Sequence, residues 1–151
     1  MTEALRRKAA IVGIGATAFS ANSGCSEQRL AAEAVLAALE DAGLGPDDVD
    51  GIVNSDFDAT NQIDVINTVG LRNIGSYAMI PHGGGSPCGT VAQAAMMVAS
   101  GASRCVVAYR SLNERSGHRY GSSEAIPTFP WVYGLHAPYG LIVPPEWTAM
   151  H

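Results

Sequence analysis

Apolar residues along this chain form two kinds of pattern, which alternate from the N-terminus onward. Short uninterrupted apolar runs are typical of buried strands and predict four of them: Ala9–Gly15, Gly51–Asn54, Tyr77–Ile80 and Arg104–Ser111. Longer stretches with helical spacing predict three helices: one from its cap at Ser26 to Ala42, a short one ending at Gly70, and Pro87–Ala102. This β-α-β-α-β-α-β order predicts an α/β fold with a mainly parallel sheet.

The last predicted helix, Pro87–Ala102, has no charged residue and is apolar on every side. Such a helix has no solvent face, so we expect it to be buried at the centre of the molecule. A second copy, a partner chain or a further half of the fold must then cover the side that the sheet leaves open. We expect Ser86 as its N-cap and Pro87 as its first residue. Its positive end, beside Gly83–Ser86, is the candidate active centre.

The pattern changes beyond Leu112, where periodicity is lost and proline, glycine and aromatic residues become frequent. A long stretch of this kind is typical of a lid, a binding loop or an interface. We therefore divide the chain into a core, residues 1–112, and an aromatic-rich loop region, residues 113–151. The closing PPEWTAMH is expected to begin a helix that this sequence truncates.

Composition narrows the classes of function. The 151-residue chain is 47% hydrophobic and 15% charged, and its net charge of −5 argues against nucleic acid as a partner. The three cysteines lack CxxC spacing and predict neither a disulfide framework nor a metal site. Glycines interrupt the N-terminal apolar run too early for a signal peptide or a membrane span. We expect a soluble, cytoplasmic protein.

Three glycine-rich patterns suggest chemistry that their surroundings do not support. Gly13–Ala18 matches the dinucleotide pattern GxGxxA, but the next helix is capped at Ser26, too late to meet a phosphate. Gly84 and Gly89 have the glycine spacing of a phosphate loop, but Thr90 stands where that loop needs lysine. His82–Cys88 joins an oxyanion sequence to a near-match of the hydrolase elbow, which hydrolases carry on separate loops. A hydrolase with this site stays a weaker alternative function.

Most of the chain resembles the N-terminal half of a thiolase. The likeness rests on IVGIGAT, on AAEAVLAALEDAGL followed by DDVDGIV, and on a helix that starts at glycines. In thiolases that helix carries Cys-Ala-Ser-Gly-x-x-Ala, and its first cysteine is the nucleophile. Ser86–Ala92 reads Ser-Pro-Cys-Gly-Thr-Val-Ala, so Ser86 stands at the nucleophile position. The chain therefore departs from thiolases at the reacting group itself.

Within that superfamily, the chain is more similar to the lipid-transfer-protein branch, which includes the steroid side-chain retro-aldolases. HGGGSPC, VVAYRSLNERSGHRYG and HAPYGLIVPPEW carry this resemblance. It implies a lyase that cleaves a bulky, steroid-type β-hydroxyacyl-CoA into a ketone and a shortened acyl-CoA. It also implies a homodimer, a small OB-fold partner chain, and no cofactor beyond the coenzyme A of the substrate. The tyrosine base of that branch comes from the second half of the fold.

A retro-aldol step needs a base for the β-hydroxyl group and donors for the enolate oxygen, without a covalent intermediate. The candidate catalytic residues are Ser86, His82 and Cys88, although a plain N-cap role for Ser86 stays open. Cys88 lies about 200° around the helix from Ser86 and is expected to be a small buried residue. The candidate substrate-binding residues are Gly83, Gly84 and Gly85 for the oxyanion, Arg115, His118 and Arg119 for CoA phosphates, and Tyr120 and Tyr139 for the acyl group. A solvated loop face stays the alternative for the basic residues, and dimer or partner contacts stay the alternative for the tyrosines.

Two other functions stay open. Acyl transfer through Ser86 or Cys88 would leave an acylated peptide, which a retro-aldol lyase does not form. A structural or lipid-binding subunit would catalyse nothing by itself, as expected if the second half of the fold, which carries acid–base residues throughout the superfamily, is missing.

Overall fold

The computed structural model describes residues 6–56, 58, 60–81, 85–113, 115 and 137–141. The chain divides into two compact units. The first joins Cys25–Leu112 to the chain before Ala21, and the second joins Ala21–Gly24 to the chain after Leu112. In the described part of the second unit, the regular structure is the 3-10 helix Ala137–Tyr139.

The described part of the first unit contains three α-helices and three strands. Their order is α1 (Glu27–Ala42), β1 (Gly51–Ser55), α2 (Gln62–Val69), β2 (Ser76–Ile80), α3 (Ser86–Ser100) and β3 (Val106–Ala108). The strands form a parallel sheet in the order β2-β1-β3. The predicted α/β fold with a parallel sheet is confirmed, although β3 is shorter than the apolar run that predicted it.

Side chains at the helix starts and glycines at the helix ends fix the boundaries of α1 and α2. Ser26 Oγ accepts a hydrogen bond from the N–H of Arg29 at 3.3 Å, and Asn61 Oδ1 accepts one from the N–H of Ile63 at 3.0 Å. Gly43 ends α1 with a φ of 67°, a left-handed conformation that glycine adopts without strain. The predicted cap and end of this helix are therefore confirmed.

The hydrophobic core lies between one face of the sheet and the helices α1 and α2. Its fully buried members include Ile52 in the central strand β1 and Val65 in α2. Burial of these apolar side chains is the main favourable contribution to folding of the unit. The other buried members of this cluster are Ala31, Ala32, Val35, Leu39, Val49, Val69, Leu71 and Tyr109.

The predicted first strand is wrong, because Ala9–Gly15 pairs with no strand in the described part of the chain. Ile11 and Ile14 are 75% and 76% exposed, so the apolar run does not lie in the core. The segment instead lies along α1, where the N–H of Ile14 donates to Asp41 Oδ2 at 2.9 Å. An apolar run alone does not distinguish a strand from an extended segment that packs on a helix.

Gly13 and Gly15 permit this close approach to α1. A Cβ atom at Gly13 would lie 2.3 Å from the carbonyl oxygen of Ala38, and one at Gly15 would lie 2.2 Å from that of Ala34. Both distances are far below van der Waals contact, so a larger residue does not fit at either position. The glycines of the GxGxxA pattern therefore serve packing against a helix, and no phosphate is needed to explain them.

We expect Gly15→Ala to detach this segment from α1, because the new methyl group would overlap the carbonyl oxygen of Ala34. The amide of Ile14 should then exchange with solvent about tenfold faster or more, as expected when a local contact opens. Hydrogen exchange followed by NMR measures this change. Gly45→Ala is the matched control, since a Cβ there meets its nearest atom at an ordinary 3.7 Å. Equal protection in both variants would contradict the prediction.

α3 is buried only on the side that faces the sheet, and the cover of its other side by a second copy, a partner chain or a further half of the fold stays a prediction. Ser86, Thr90 and Met97 are its buried residues, whereas Val91 and Met96 are 47% and 44% exposed. The sheet covers one side of α3, and the described residues leave the other side open. The apolar composition therefore predicted burial correctly for the side that faces the sheet.

Candidate active site

The carboxyl ends of the three strands meet at one edge of the sheet, and α3 begins at the same edge. Ligands of open α/β sheets bind at this edge, and the start of a helix adds partial positive charge. The side chains that gather there are polar and mostly buried: Asn54, Ser55, Asp58, Thr60, Gln62, Ser86, Tyr109 and Ser111. This edge is the candidate active site.

Ser86 is the first residue of α3, and Gly85 is the N-cap, so the predicted capping role of Ser86 is wrong by one position. Gly85 already has helical dihedral angles, so the helical conformation of the backbone begins one residue before Ser86. Ser86 is 1% exposed, and its Oγ lies 2.6 Å from the Oγ of Ser55. Its hydroxyl is therefore held in a buried pair with the end of β1.

Cys88 is exposed, which corrects the expectation of a buried cysteine. Ser86 faces the sheet, and a residue two positions later in a helix points about 200° away from it. The two side chains therefore lie on different sides of α3. Cys88 does not share the buried position of Ser86.

The other predicted site residues fall into two groups. Gly85 is exposed, and a Cβ built on it would meet no atom within 4 Å, so space is open beside the helix start. Arg115 and Tyr139 are exposed and belong to the second unit. The remaining predictions lie outside the described residues: His82, Gly83, Gly84, His118, Arg119, Tyr120 and the predicted helix start PPEWTAMH.

Asp58 joins the ends of β1 and β3. Its two carboxylate oxygens accept hydrogen bonds from the N–H of Ser55 at 3.1 Å and from the N–H of Ser111 at 3.3 Å. The Nε of Arg110 lies 3.6 Å from Oδ1, and the Asp58 side chain is fully buried. The carboxyl group therefore fixes the spacing of two strand ends at the candidate site.

Burial raises the pKa of Asp58 to about 6, because a carboxylate is poorly solvated there. The nearby Asp56 raises the pKa further, whereas the N–H groups of Ser55 and Ser111 and the charge of Arg110 oppose the shift. The folded protein thus holds a proton on Asp58 at a pH where an unfolded chain has released it. This carboxyl group changes its charge close to pH 6.

We expect a pH dependence of stability from Asp58. Its folded pKa lies above the unfolded value, so its contribution to the free energy of unfolding is complete below about pH 4. That contribution falls as the pH rises to about 6 and is constant above it. Urea denaturation between pH 4 and 7 measures the effect in the wild type and in Asp58→Asn, which cannot ionise. Parallel stability curves for the two proteins would contradict the assignment.

Gln62 connects β1 to its other neighbour, β2. Its Nε2 donates to Asn54 Oδ1 at 2.7 Å and to the carbonyl oxygen of Ala78 at 2.6 Å. The Nδ2 of Asn54 donates in turn to the carbonyl oxygen of Ser55 at 3.1 Å. Hydrogen bonds of this kind satisfy buried polar groups and give the site a defined geometry.

Tyr109 follows β3, and its hydroxyl oxygen lies 3.3 Å from Thr60 Oγ1. Burial raises the pKa of this phenol, and the neighbouring carboxylates of Asp58 and Asp64 raise it further. The phenol therefore keeps its proton at neutral pH. Tyr109 does not have the lowered pKa that a tyrosine base requires.

The first unit also contains a groove of about 670 Å³, whose lining shares Tyr109 with the candidate site. Residues 7–15 form one side, and parts of α1, α3 and residues 104–110 form the rest. Its lining includes neither Ser86 nor Cys88. We therefore place the candidate chemistry at the polar edge of the sheet and not in this groove.

Two further classes of feature are absent from the described residues. These residues contain no group of three or more metal-ligating side chains. None of the helices in the same residues combines the length and the apolar character that crossing a bilayer requires.

The chain has known relatives, although no family model matches it. It is 49% identical over 147 residues to a steroid side-chain-cleaving aldolase from Thermomonospora curvata, covering 94% of this chain and 38% of the relative. It is 56% identical over 117 residues to a 17-hydroxy-3-oxo-4-pregnene-20-carboxyl-CoA lyase from Mycobacterium tuberculosis, covering 78% of this chain and 30% of the relative. The chain is a homologue of both proteins. It spans about a third of their length.

A solved structure supports the same relationship. The structure named Ltp2-ChsH2(DUF35) aldolase superposes with a TM-score of 0.74 at 48% identity, over 93% of this chain and 36% of that one. The predicted resemblance to the steroid side-chain retro-aldolase branch is confirmed by these relatives.

Most of the polar groups that gather at the sheet edge were not predicted from the sequence. Asn54 and Ser55 come directly after the apolar run of β1, and Tyr109 directly follows β3. Polar residues at the carboxyl ends of parallel strands are a signal for a site, because those ends converge. That signal is present in the sequence, whereas the pairing of Ser55 with Ser86 arises only from the three-dimensional fold.

Proposed function

We propose that the complete protein is a lyase that cleaves a bulky, steroid-type β-hydroxyacyl-CoA between Cα and Cβ. The supporting observation is the 49% identity over 147 residues with a steroid side-chain-cleaving aldolase. The mycobacterial relative is named as a lyase of a hydroxylated pregnene carboxyl-CoA, which is a substrate of the same chemical class.

The proposed reaction is a retro-aldol cleavage. A base removes the proton from the β-hydroxyl group, and the Cα–Cβ bond breaks as the β-carbon becomes the carbonyl of a ketone. The electron pair of that bond forms the enolate of the thioester, and a proton then adds to Cα to give the shortened acyl-CoA. The protein must supply the base and hydrogen-bond donors for the enolate oxygen.

This chain is proposed to supply the enolate site. Ser86 replaces the thiolase nucleophile with a hydroxyl group, and the start of α3 adds partial positive charge beside it. Gly85 leaves open space at this point. Gly83 and Gly84, which directly precede Gly85 in the sequence, are proposed to bind the same oxyanion, and His82 stays a candidate catalytic residue.

We propose that the base is none of the polar side chains described at the carboxyl edge of the sheet. Tyr109 stays protonated at neutral pH, and the Asp58 carboxylate already accepts two backbone hydrogen bonds. The proposed contacts with CoA and the acyl group stay with Arg115, His118, Arg119, Tyr120 and Tyr139. Beyond the coenzyme A of the substrate, the proposed mechanism uses no cofactor.

We further propose that the protein forms a homodimer and binds a small OB-fold partner chain. Large apolar side chains stand exposed on several elements of the first unit, among them Tyr77 (75%) and Met79 (53%) in β2 and Val91 (47%) and Met96 (44%) in α3. Exposed apolar groups of this size are typical of surfaces that another chain covers. The name of the solved Ltp2-ChsH2(DUF35) relative joins two components, which supports the partner chain.

Incubation of the complete natural protein, with any chain that copurifies, tests the proposed activity. A CoA thioester of a β-hydroxylated steroid side chain is expected to yield a ketone and a shortened acyl-CoA, both identified by mass spectrometry. The analogue without the β-hydroxyl group is the matched control and should stay intact, because it lacks the hydroxyl proton whose removal starts the cleavage. Failure to cleave the hydroxylated thioester would refute the proposal.

Acyl transfer is the second candidate, favoured by the exposure of Cys88 in the first turn of α3. Mass spectrometry of the protein after exposure to substrate distinguishes the two reactions. The lyase predicts no acylated peptide and predicts full activity for Cys88→Ala. An acyl group on Ser86 or Cys88 would instead identify a covalent transferase.

A further inference from the structure

Two pairs of serine hydroxyls connect the α3 region to the sheet, one near each end of the helix. At the start of α3, Ser86 Oγ lies 2.6 Å from Ser55 Oγ, at the carboxyl end of β1. Beyond the end of α3, Ser103 Oγ is hydrogen-bonded to Ser76 Oγ, at the amino end of β2. The pairs have the same chemistry, but only the first lies at the candidate active site.

Ser55 has a fixed place in the structure. It is the last residue of β1, pairs in register with Ile80 and is fully buried. Its N–H donates to Asp58 Oδ2 at 3.1 Å, and its carbonyl oxygen accepts from the N–H of Asp58 at 3.2 Å. The carbonyl also accepts from Asn54 Nδ2 at 3.1 Å. The Ser55 hydroxyl therefore projects from a backbone that is held on several sides.

This hydroxyl is one of the contacts that orient Ser86. A serine side chain has three staggered positions, and its hydroxyl hydrogen rotates to suit its partners. Contact at 2.6 Å with a fixed neighbour selects among these states. A hydroxyl that accepts one hydrogen bond also becomes a better donor in another, because the bonds polarise each other.

We propose that Ser55 is a positioning residue that acts through Ser86. The inference rests on the proposed function, in which Ser86 helps to bind the enolate oxygen. Donors at such a site act when they lie about 2.7–3.1 Å from the developing oxyanion. A shift of Ser86 by about 1 Å therefore lowers the rate of bond cleavage and leaves binding of the CoA thioester largely intact.

The test compares Ser55→Ala with Ser76→Ala, which removes the serine pair near the other end of α3. Both variants are made in the complete protein and assayed under conditions that give wild-type activity. Ser55→Ala is expected to lower kcat about tenfold or more, with KM within about threefold of wild type. Ser55→Thr keeps the hydroxyl group and should recover most of kcat. Ser76→Ala removes the second pair and should leave kcat within about twofold of wild type, because that pair lies at the amino end of the sheet.

Three results would overturn the proposal. They are an unchanged kcat in Ser55→Ala, an equal loss in Ser55→Ala and Ser76→Ala, and a loss in Ser55→Ala that falls on KM alone. If Ser55→Ala does not fold, Ser55→Cys takes its place, since it is nearly the same size and only a weak donor. The same three criteria then apply to it.

A crystal structure separates this inference from the proposed function. If the wild-type protein cleaves no thioester, the proposed function fails, and the position of Ser86 Oγ in Ser55→Ala decides the role of Ser55. Positioning predicts that this oxygen moves or occupies more than one rotamer. An unchanged single position would overturn the inference.

Discussion

Ile52→Ala is expected to lower the free energy of unfolding by about 2–5 kcal/mol. Ile52 is fully buried in β1, the central strand of the sheet, and belongs to the core that α1 and α2 cover. Truncation to alanine removes apolar contacts and leaves a cavity that a close-packed interior fills only in part. Chemical denaturation of the protein measures the loss.

Ile14→Ala is the matched control for this change. Ile14 has the same side chain but is 76% exposed, so its truncation should alter the free energy of unfolding by less than about 0.5 kcal/mol. Equal effects at the two positions would show that the core does not lie between β1 and the helices α1 and α2.

Asp58→Ala is expected to destabilise the protein by about 2–4 kcal/mol at neutral pH, because it removes the acceptor of two backbone N–H groups. The N–H groups of Ser55 and Ser111 lie at buried positions and would lose this partner together. Arg110 would also lose the carboxylate near its guanidinium group. Urea denaturation at pH 7 measures the change in the free energy of unfolding.

Asp47→Ala provides the comparison for Asp58→Ala. Asp47 is exposed in the 3-10 helix Pro46–Asp48, so its removal should change the free energy of unfolding by about 0.5 kcal/mol or less. A loss at Asp58 no greater than the loss at Asp47 would contradict the bridging role of Asp58 between β1 and β3.

Local sequence signals predicted the elements whose boundaries depend on neighbouring residues. Ser26 and Gly43 fix α1, and the apolar runs at 51–54 and 77–80 became β1 and β2. The run at 9–15 has the same appearance but pairs with no described strand, because its two glycines allow it to pack on α1 instead. Hydrophobic pattern cannot distinguish these outcomes, since both are extended and apolar.

The candidate site was predictable in its location and not in its connections. Glycines before an apolar helix indicated where the helix starts, and Ser86 was identified from its position there. The partner of Ser86 is Ser55, which lies 31 residues earlier in the chain. No local pattern relates residues at that separation, because their proximity comes from the parallel pairing of β1 and β2. The pKa of Asp58 likewise depends on burial, which the sequence does not reveal.

The sheet order β2-β1-β3 affects the solubility expected of the described residues when they are produced alone. In the described part of the chain, both outer strands pair only with β1, so each presents backbone donors and acceptors along its free side. Unpaired edge strands of this kind can pair with strands of other molecules and so promote aggregation. Production of these residues on their own should therefore favour aggregation, and charged substitutions at Tyr77 or Met79 on the outer strand β2 should improve solubility.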